Sequence, residues 1–298
     1  MRNAAKLALA TAAFALCVGA AQGRAERRAG DRTERVDRAQ GGKIALSYGA
    51  DRLQRVDFYP AAQAGGPVVV FVHGGGWKRG DKRMVDDSSK LTHWHALGYN
   101  VASVNYRLVP DATVEQQGAD VAAAVAMLRE KAPSLKFDSR RIALVGHSAG
   151  AHLVALVGTD PQYLRGAGLD FGDIRGIVPL DGAAYDVAAQ LADGGRLMHD
   201  TYEQAFGTDP ARQAALSPTL QAGAPNAAEF LVLHVQRADG TRQSRALATA
   251  LNQGGSHAEV QGFEGRGLPG HAEINRRLGD PDYPATSVVD GFLARIFR

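Results

Sequence analysis

A five-residue turn, Gly146–Gly150, restricts the fold of this chain more than any other feature of its sequence. It reads GHSAG, follows the apolar run RIALV and opens the helical pattern AHLVALVG. The two outer glycines have no Cβ atoms to collide with neighbouring chain, so the backbone can turn sharply from strand into helix. A serine at the centre of such a turn, here Ser148, presents its hydroxyl at the carboxyl edge of a sheet, in front of helix amides. The pattern predicts a reactive serine; the alternative is a turn of small residues with a capping serine.

Eight short β-rich runs alternate with helical patterns from Lys43 to the end of the chain. The runs are residues 43–49, 54–60, 67–74, 100–105, 141–145, 174–180, 230–235 and 257–263. The helical patterns are residues 88–97, 114–131, 149–157, about 185–207 and 241–253, with two more at the end. Strands separated by helices form a mostly parallel sheet with helices on both faces. We therefore expect one α/β domain over residues 43–298, with an antiparallel pair of strands at its start.

The first 22 residues have the pattern of a secretory signal peptide. A positively charged start is followed by an apolar stretch, Leu7–Val18, and by small residues. This stretch has 12 residues, well short of the roughly 20 that a membrane-spanning helix needs, so no stable membrane insertion is expected. We predict export to the periplasm or the medium, with the polar, charge-balanced residues 23–42 as a linker before the folded domain.

Composition excludes several classes of protein. The 298 residues are 45% hydrophobic and 22% charged, with a net charge of +3. These values do not fit a disordered chain, and the positive charge is too dilute to indicate nucleic-acid binding. The only cysteine, Cys17, lies in the predicted signal peptide, so neither thiol catalysis nor a cysteine–zinc site is expected. Neither GxxxxGK[ST] nor HExxH occurs, and we expect no cofactor and no metal.

A second glycine-rich motif, His73–Trp77, follows the buried run VVVFV and reads HGGGW. Consecutive glycines allow backbone amides to approach a substrate closely. The amides of Gly75 and Gly76, together with that of Ala149, are predicted to form an oxyanion hole for a tetrahedral intermediate. This second motif favours the reactive serine over the capping serine.

Together the two motifs resemble the α/β-hydrolase superfamily. The chain is most similar to esterases with an HGGG loop, which include the hormone-sensitive-lipase-like, BD-FAE and kynurenine-formamidase-like enzymes. The resemblance covers roughly residues 43–298, and Asn105–Leu108 and Leu180–Asp186 look like further landmarks of the family. It implies an α/β-hydrolase fold with an eight-stranded, mostly parallel sheet. It also implies a serine nucleophile, an acid after the seventh strand and a histidine after the eighth.

A serine nucleophile needs a base, and His271 is the best candidate. It lies in GLPGHAEINRRLG, after the last strand and at the start of a helix, which puts it at the same edge of the sheet as Ser148. The GHxxIN pattern also resembles the histidine loop of the family. His257 lies at the beginning of its strand, hence at the opposite edge, and His73 belongs to the glycine-rich loop.

The base in turn needs an orienting carboxylate. Asp239 follows the seventh strand, at the position that the family's order Ser, Asp, His implies. Val235 stands where such families often have glycine, and the spacing to the acid differs from theirs. Asp186, after the sixth strand, is the alternative, and Asp209 is a more distant one. The ordinary interpretation of any single aspartate here is a helix cap or a solvated carboxylate.

These residues predict an acyl transfer in which Ser148 attacks a carbonyl and water later releases the acyl-enzyme. Trp77 and His147, beside the oxyanion glycines and the serine, are the predicted substrate-binding residues. The loops above the sheet edge, residues 77–88 and 185–225, are neither long nor apolar enough to suggest a lipase lid, so we expect a small or short-acyl ester as the substrate. Two alternatives stay open: an amidase or formamidase, and a non-catalytic binding protein with the same fold. The sequence leaves the oligomeric state open.

Overall fold

The apolar runs of the sequence form a central sheet whose inner strands are buried on both faces. The computed structural model describes residues 42–298 except residues 194, 195 and 224. The predicted signal peptide, residues 1–22, and the predicted linker up to residue 41 lie outside the described residues.

Eight strands of the described part form one sheet in the order β1-β2-β4-β3-β5-β6-β7-β8. In chain order they are β1 Ile44–Ser47, β2 Arg55–Tyr59, β3 Val68–Val72, β4 Asn100–Val104, β5 Ile142–His147, β6 Gly176–Leu180, β7 Glu229–Gln236 and β8 His257–Arg266. β2 pairs antiparallel with β1 and β4, whereas the pairs from β4 through β3 to β8 are parallel. This is the predicted mostly parallel sheet with an antiparallel start.

Helices cover both faces of this sheet and fill the insertion between β6 and β7. In chain order they are α1 Ser89–Ala96, α2 Val114–Leu135, α3 Ala149–Thr159, α4 Pro161–Gly166, α5 Val187–Asp193, α6 Arg196–Phe206, α7 Pro210–Ala215, α8 Pro218–Gln221, α9 Ala238–Gln253, α10 Gly267–Arg277 and α11 Pro284–Ile296. The side chains of β3 alternate between two separate apolar cores, because neighbouring residues of a strand point to opposite faces. No helix among the described residues is both long and apolar enough to span a bilayer.

The longest helix, α2, is four residues longer than predicted. It begins with a capping box, in which Thr113 Oγ1 accepts from the Gln116 amide and the Gln116 side chain accepts from the Thr113 amide. It continues past Pro133 to Leu135, and the cap residue Lys136 takes a left-handed conformation with φ 59°. Proline lacks an amide hydrogen but has a φ angle that fits a helix. It therefore removes one hydrogen bond from the last turn without ending the helix at once.

The register of the parallel strands brings their carboxyl ends together. Val72, the last residue of β3, pairs with Gly146 near the end of β5, and His147 pairs with Leu180, the last residue of β6. The HGGG loop, the GHSAG turn and the loop after β6 therefore start side by side. A close contact fixes the crossing of α3 over β3: a Cβ atom added to Gly150 would lie 2.1 Å from the carbonyl oxygen of Val72.

Gly150→Ala is expected to lower the free energy of unfolding by about 3 kcal/mol, because backbone must move to admit the methyl group. The matched control is Gly166→Ala, at an exposed helical glycine where an added Cβ atom meets nothing within 4 Å; it should be neutral or slightly stabilising. Urea denaturation of both variants measures the difference. Equal stabilities of the two variants would contradict this packing.

Candidate active site

Ser148 lies in a strained turn between β5 and α3. Its φ is 57° and its ψ is −119°, a conformation that is uncommon for a residue with a side chain. Its amide donates to the carbonyl of Leu180 at the end of β6, at 3.1 Å. A Cβ atom added to Gly146 would lie 2.2 Å from the carbonyl oxygen of Gly150, so the turn needs glycine there. The Ser148 hydroxyl makes no capping bond to α3, which disfavours the capping serine.

The HGGG loop packs directly against the serine. A Cβ atom added to Gly74 would lie 2.9 Å from Ser148 Cβ. Gly75 and Gly76 have φ angles of 129° and 61°, and neither donates its amide in a backbone hydrogen bond to another described residue. Ala149 is the first residue of α3, where an amide has no partner within its own helix. The three predicted oxyanion amides thus belong to segments that meet at Ser148.

His73 shapes the HGGG loop from below. Its buried ring stacks on Tyr106 with the ring centroids 4.4 Å apart, and its Nδ1 donates to the carbonyl of Gly74 at 2.8 Å. The Tyr106 hydroxyl donates to the carbonyl of His73 at 2.9 Å. Burial lowers the pKa of His73 despite the bond to Gly74, so the ring is neutral and serves as a support for the loop.

The carboxylate that meets His271 is Asp181. His271 Nδ1 donates to Asp181 Oδ2 at 2.5 Å, and the Asp181 side chain is 0% exposed. Asp181 directly follows β6 and has a positive φ of 46°. Its Oδ1 accepts from the Val235 amide at 3.0 Å. Burial by itself would raise the pKa of Asp181, but the hydrogen bond from His271 and the charge of Arg237 hold it below its ordinary value.

The predicted pairing of Asp239 with His271 is not what the structure contains. β7 runs to Gln236 and α9 begins at Ala238, so Asp239 lies in the first turn of a helix and not in a loop that could reach the imidazole. Its Oδ2 pairs instead with Arg237 Nη1 at 3.3 Å and accepts from Gln190 Nε2 at 3.1 Å. Arg237 stands between Asp239 and the carboxylate that His271 uses.

The two other aspartates considered from the sequence are helix caps. Asp186 Oδ1 accepts from the Ala189 amide at 3.1 Å, at the start of α5. Asp209 Oδ1 accepts from the Ala211 amide at 3.0 Å, at the start of α7. The acid thus lies in the loop after the sixth strand, as in the alternative, but it is Asp181, the first residue of that loop, and not Asp186. Its place directly after an apolar strand adjacent to β5 was the available signal.

His147, predicted to bind substrate, lies behind His271. Its ring centroid is 4.6 Å from that of His271, and its Nε2 donates to the His271 carbonyl at 3.0 Å. Burial, and next to it the charge of His271, lowers the pKa of His147 to about 3. A buried neutral imidazole that donates to the main chain of its neighbour positions that neighbour and does not face a substrate.

Trp77, the other predicted substrate-binding residue, is 1% exposed. Its Nε1 donates to His152 Nδ1 at 3.3 Å, and its ring packs against Tyr202 and Phe206 of α6. Burial therefore contradicts direct contact between Trp77 and a substrate in this arrangement. Its role is to join the HGGG loop to the helical insertion.

The helical insertion covers the HGGG loop. A Cβ atom added to Gly76 would lie 2.9 Å from Cγ2 of Thr201, on α6. Nearby, Lys78 Nζ donates to Gln204 Oε1 at 3.3 Å. Helix α6 thus lies immediately above the predicted oxyanion amides and limits the space beside them.

Asp181→Asn is expected to destabilise the protein by about 3–5 kcal/mol at neutral pH, because Arg237 and His271 lose a buried charged partner. The pKa of Asp181 in the folded state lies below its unfolded value of 3.8, so its contribution is complete above that pH and is lost as the pH falls through the folded value. The difference in free energy of unfolding between wild type and variant should therefore narrow on acidification below pH 4. Urea denaturation at several pH values measures it, with Asp111→Asn, at an exposed aspartate, as the control. A difference that stays constant would contradict the ion pair.

Comparison with known proteins finds relatives among esterases and formamidases. Residues 56–170 match the BD-FAE family. Esterase LipC of Mycobacterium tuberculosis is 36% identical over 124 residues, which cover 39% of this chain and 30% of LipC. A kynurenine formamidase of Meyerozyma guilliermondii is 30% identical over 143 residues, which cover 48% of this chain and 52% of that enzyme. The matched segments thus span about a third to a half of the length of these relatives.

Solved structures share the fold of the described residues. Esterase B from Lactobacillus rhamnosis superimposes with a TM-score of 0.68 and 22% sequence identity, covering 98% of this chain and 94% of that one. At this identity the likeness is one of fold. Taken with the glycine-rich loop after β3 and the serine turn after β5, these comparisons show that the chain has the α/β-hydrolase fold and that residues 56–170 match the BD-FAE family.

Proposed function

We propose that the protein is a serine carboxylesterase that cleaves small or short-acyl esters through an acyl-enzyme intermediate. The observation that carries this proposal is the hydrogen bond from His271 Nδ1 to the buried Asp181, at the same sheet edge as the strained Ser148. The esterase relatives support the reaction class. The assignment of a nucleophile, a base and an acid replaces Asp239 by Asp181 and keeps the other two predicted residues.

The tautomer of His271 follows from its partner. Because Nδ1 carries the proton that Asp181 accepts, Nε2 has a free lone pair and can take the proton of the Ser148 hydroxyl. The serine oxygen then attacks the ester carbonyl, and the amides of Gly75, Gly76 and Ala149 stabilise the oxyanion. The imidazolium gives its proton to the leaving alcohol, and Asp181 stabilises it meanwhile.

Release of the acyl group repeats the same steps with water. His271 Nε2 takes a proton from water, the resulting nucleophile attacks the acyl-enzyme, and the collapse of the second tetrahedral intermediate returns the proton to Ser148. A buried Asp181 that stays ionised keeps the imidazole in one orientation through both halves of the cycle. No cofactor enters any step.

A formamidase is the second candidate, favoured by the kynurenine formamidase relative. The same three side chains can open an activated amide, since only the leaving group differs. Parallel turnover of N-formylkynurenine and a short p-nitrophenyl ester separates the two functions: a higher kcat/KM for the formamide would replace the esterase assignment. We also propose that the protein is exported, on the basis of the signal-peptide pattern in residues 1–22.

Ser148→Ala and Asp181→Asn test the proposed triad. Loss of the nucleophile should reduce kcat for a p-nitrophenyl ester by at least about 10⁴-fold, and loss of the acid by about 10²–10⁴-fold, because the imidazole tautomer is no longer fixed. Asp239→Asn and Asp186→Asn are the matched carboxylate controls and should cost less than about tenfold. Ester hydrolysis within a few-fold of wild type in Ser148→Ala would refute the function, whereas a larger loss in Asp239→Asn than in Asp181→Asn would refute the choice of acid.

Thr201→Ala tests the short-acyl preference. Removing the Thr201 side chain that lies over Gly76 enlarges the space beside the oxyanion loop, so the ratio of kcat/KM for hexanoate to that for acetate should rise by about tenfold. Thr208→Ala, at an exposed threonine of the same insertion, is the control and should leave the ratio unchanged. An unchanged ratio in Thr201→Ala would show that α6 does not limit acyl length.

A further inference from the structure

A buried arginine joins the two aspartates that follow β6 and β7. The side chain of Arg237 is 13% exposed, and its Nε lies 3.2 Å from Asp181 Oδ2. Its Nη1 lies 3.3 Å from Asp239 Oδ2, and its Nη2 donates to the carbonyl of Gly182 at 3.1 Å. A Cβ atom added to Gly240 would lie 2.9 Å from Nη2, so the first turn of α9 leaves room for the guanidinium. Nη1 and Nη2 thus donate hydrogen bonds, whereas Nε lies within ion-pair distance of Asp181 without a hydrogen bond.

The arginine and the histidine share one carboxylate oxygen. Asp181 Oδ2 is 2.5 Å from His271 Nδ1 and 3.2 Å from Arg237 Nε. A guanidinium at that distance reduces the negative potential that the carboxylate presents to the imidazole. The reason is that two positive groups beside one carboxylate repel each other. Arg237 and an imidazolium at His271 therefore share the negative charge of one carboxylate oxygen.

Asp239 acts in the opposite direction. It pairs with the far side of the Arg237 guanidinium. Its negative charge therefore offsets part of the positive potential that the arginine adds at His271. Gln190 fixes it there: its Nε2 donates to Asp239, while its Oε1 accepts from the Ala184 amide at 3.1 Å. Imidazole, carboxylate, guanidinium and carboxylate thus form a chain of contacts that ends at Asp239 of α9, which Gln190 of the helical insertion holds in place.

We infer that Arg237 is a positioning residue of the proposed triad, which orients Asp181 toward His271 and sets the pH range in which the base is unprotonated, with Asp239 as its opposing charge. This inference rests on the proposed function. It gives a role to the aspartate after the seventh strand, although that aspartate does not touch the histidine.

Other charged groups near His271 come from α1, β5 and α10. His147 of β5 is neutral, since its pKa is lowered by burial to about 3. Lys90 of α1 is buried with its ammonium 5.3 Å from the Phe71 ring, and burial lowers its pKa to about 8, so its charge is constant on the acid side of neutrality. Glu273 of α10 lies on the same helix as His271 and pairs with Arg276 and Arg277.

The tyrosines around Asp181 do not titrate in the working range. Burial raises the pKa of Tyr202 to about 12 and raises those of Tyr185 and Tyr283 as well. They belong to α6, to the loop after β6 and to the start of α11 respectively. Arg237 is therefore the charged group whose removal changes the potential at Asp181 most directly.

The two substitutions Arg237→Gln and Asp239→Asn should move the acid limb of the pH–kcat/KM profile in opposite directions. Without the guanidinium, the imidazolium is more stable and persists to higher pH. The midpoint of the acid limb of Arg237→Gln should therefore move to higher pH by about one unit. Without the Asp239 carboxylate, no negative charge offsets that of Arg237 on its far side. The midpoint of the acid limb of Asp239→Asn should therefore move to lower pH by about half a unit. Arg237→Lys keeps the positive charge and should keep the limb closer to that of wild type than Arg237→Gln does.

The profile is measured from pH 4 to 9 at constant ionic strength, with a short p-nitrophenyl ester and with active sites counted by a fluorophosphonate probe. Counting sites removes the effect of misfolded protein, and thermal melting of each variant defines the usable pH range. Arg140→Gln is the control: it removes the same charge from an 86% exposed arginine before the amino end of β5, and its limb should not move. Loss of activity in Arg237→Gln without movement of the limb, or movement of both limbs in the same direction, would overturn the inference.

This test is distinct from the test of the function itself. If Ser148→Ala retains ester hydrolysis, the proposed triad fails, and a pH limb no longer reports on His271. If Ser148→Ala is inactive and the limbs of Arg237→Gln and Asp239→Asn coincide with that of wild type, the triad stands and only the role of Arg237 is refuted.

Discussion

The site depends on the parallel pairing of β5 with β6. His147 pairs with Leu180, and the next residue of each strand is therefore the serine on one side and the acid on the other. The bond from the Ser148 amide to the Leu180 carbonyl continues this pairing beyond the last regular residue of β5. Both Ser148 and Asp181 take positive φ angles just there, so the two residues that leave the sheet are both strained.

The burial of Asp181 removes its carboxylate from water, which costs free energy that its hydrogen-bond and ion-pair partners must offset. A carboxylate removed from water is stable only when several donors replace its hydration. Asp181 has an imidazole on one oxygen, the Val235 amide on the other and a guanidinium beside the first. The position after β6 can supply all three because β7 runs alongside and brings both the Val235 amide and Arg237. An aspartate at the start of α9 is closer to the insertion and has a single cation and an amide side chain as partners.

The sheet, its mostly parallel order and the segments carrying Ser148 and His271 could be predicted from the sequence. Continuous apolar runs and a glycine-bounded serine have few other structural solutions, and strand direction places their ends at one edge. The acid could not be identified with equal certainty, since Asp181, Asp186 and Asp239 all follow strands at that edge. Which of them reaches His271 depends on a few residues of loop length. α9 begins at Ala238, three residues earlier than the pattern indicates, and this removes Asp239 from reach.

The burial of the Trp77 side chain could not be predicted from the sequence either. Trp77 next to three glycines reads as an exposed aromatic residue, but α6 supplies Tyr202 and Phe206 to enclose it. Nothing local to the HGGG motif encodes that contact, because the partners lie more than a hundred residues later. Insertions between β6 and β7 therefore decide what the motif presents to a substrate.

His147 has a mechanical consequence. It is covalently joined to Ser148, and its imidazole holds the main chain of His271. The spacing between serine and histidine is thus governed by a path of one peptide bond and one side chain, without passing through the rest of the sheet. A displacement of the end of β5 is therefore expected to move both groups together and to preserve their mutual alignment.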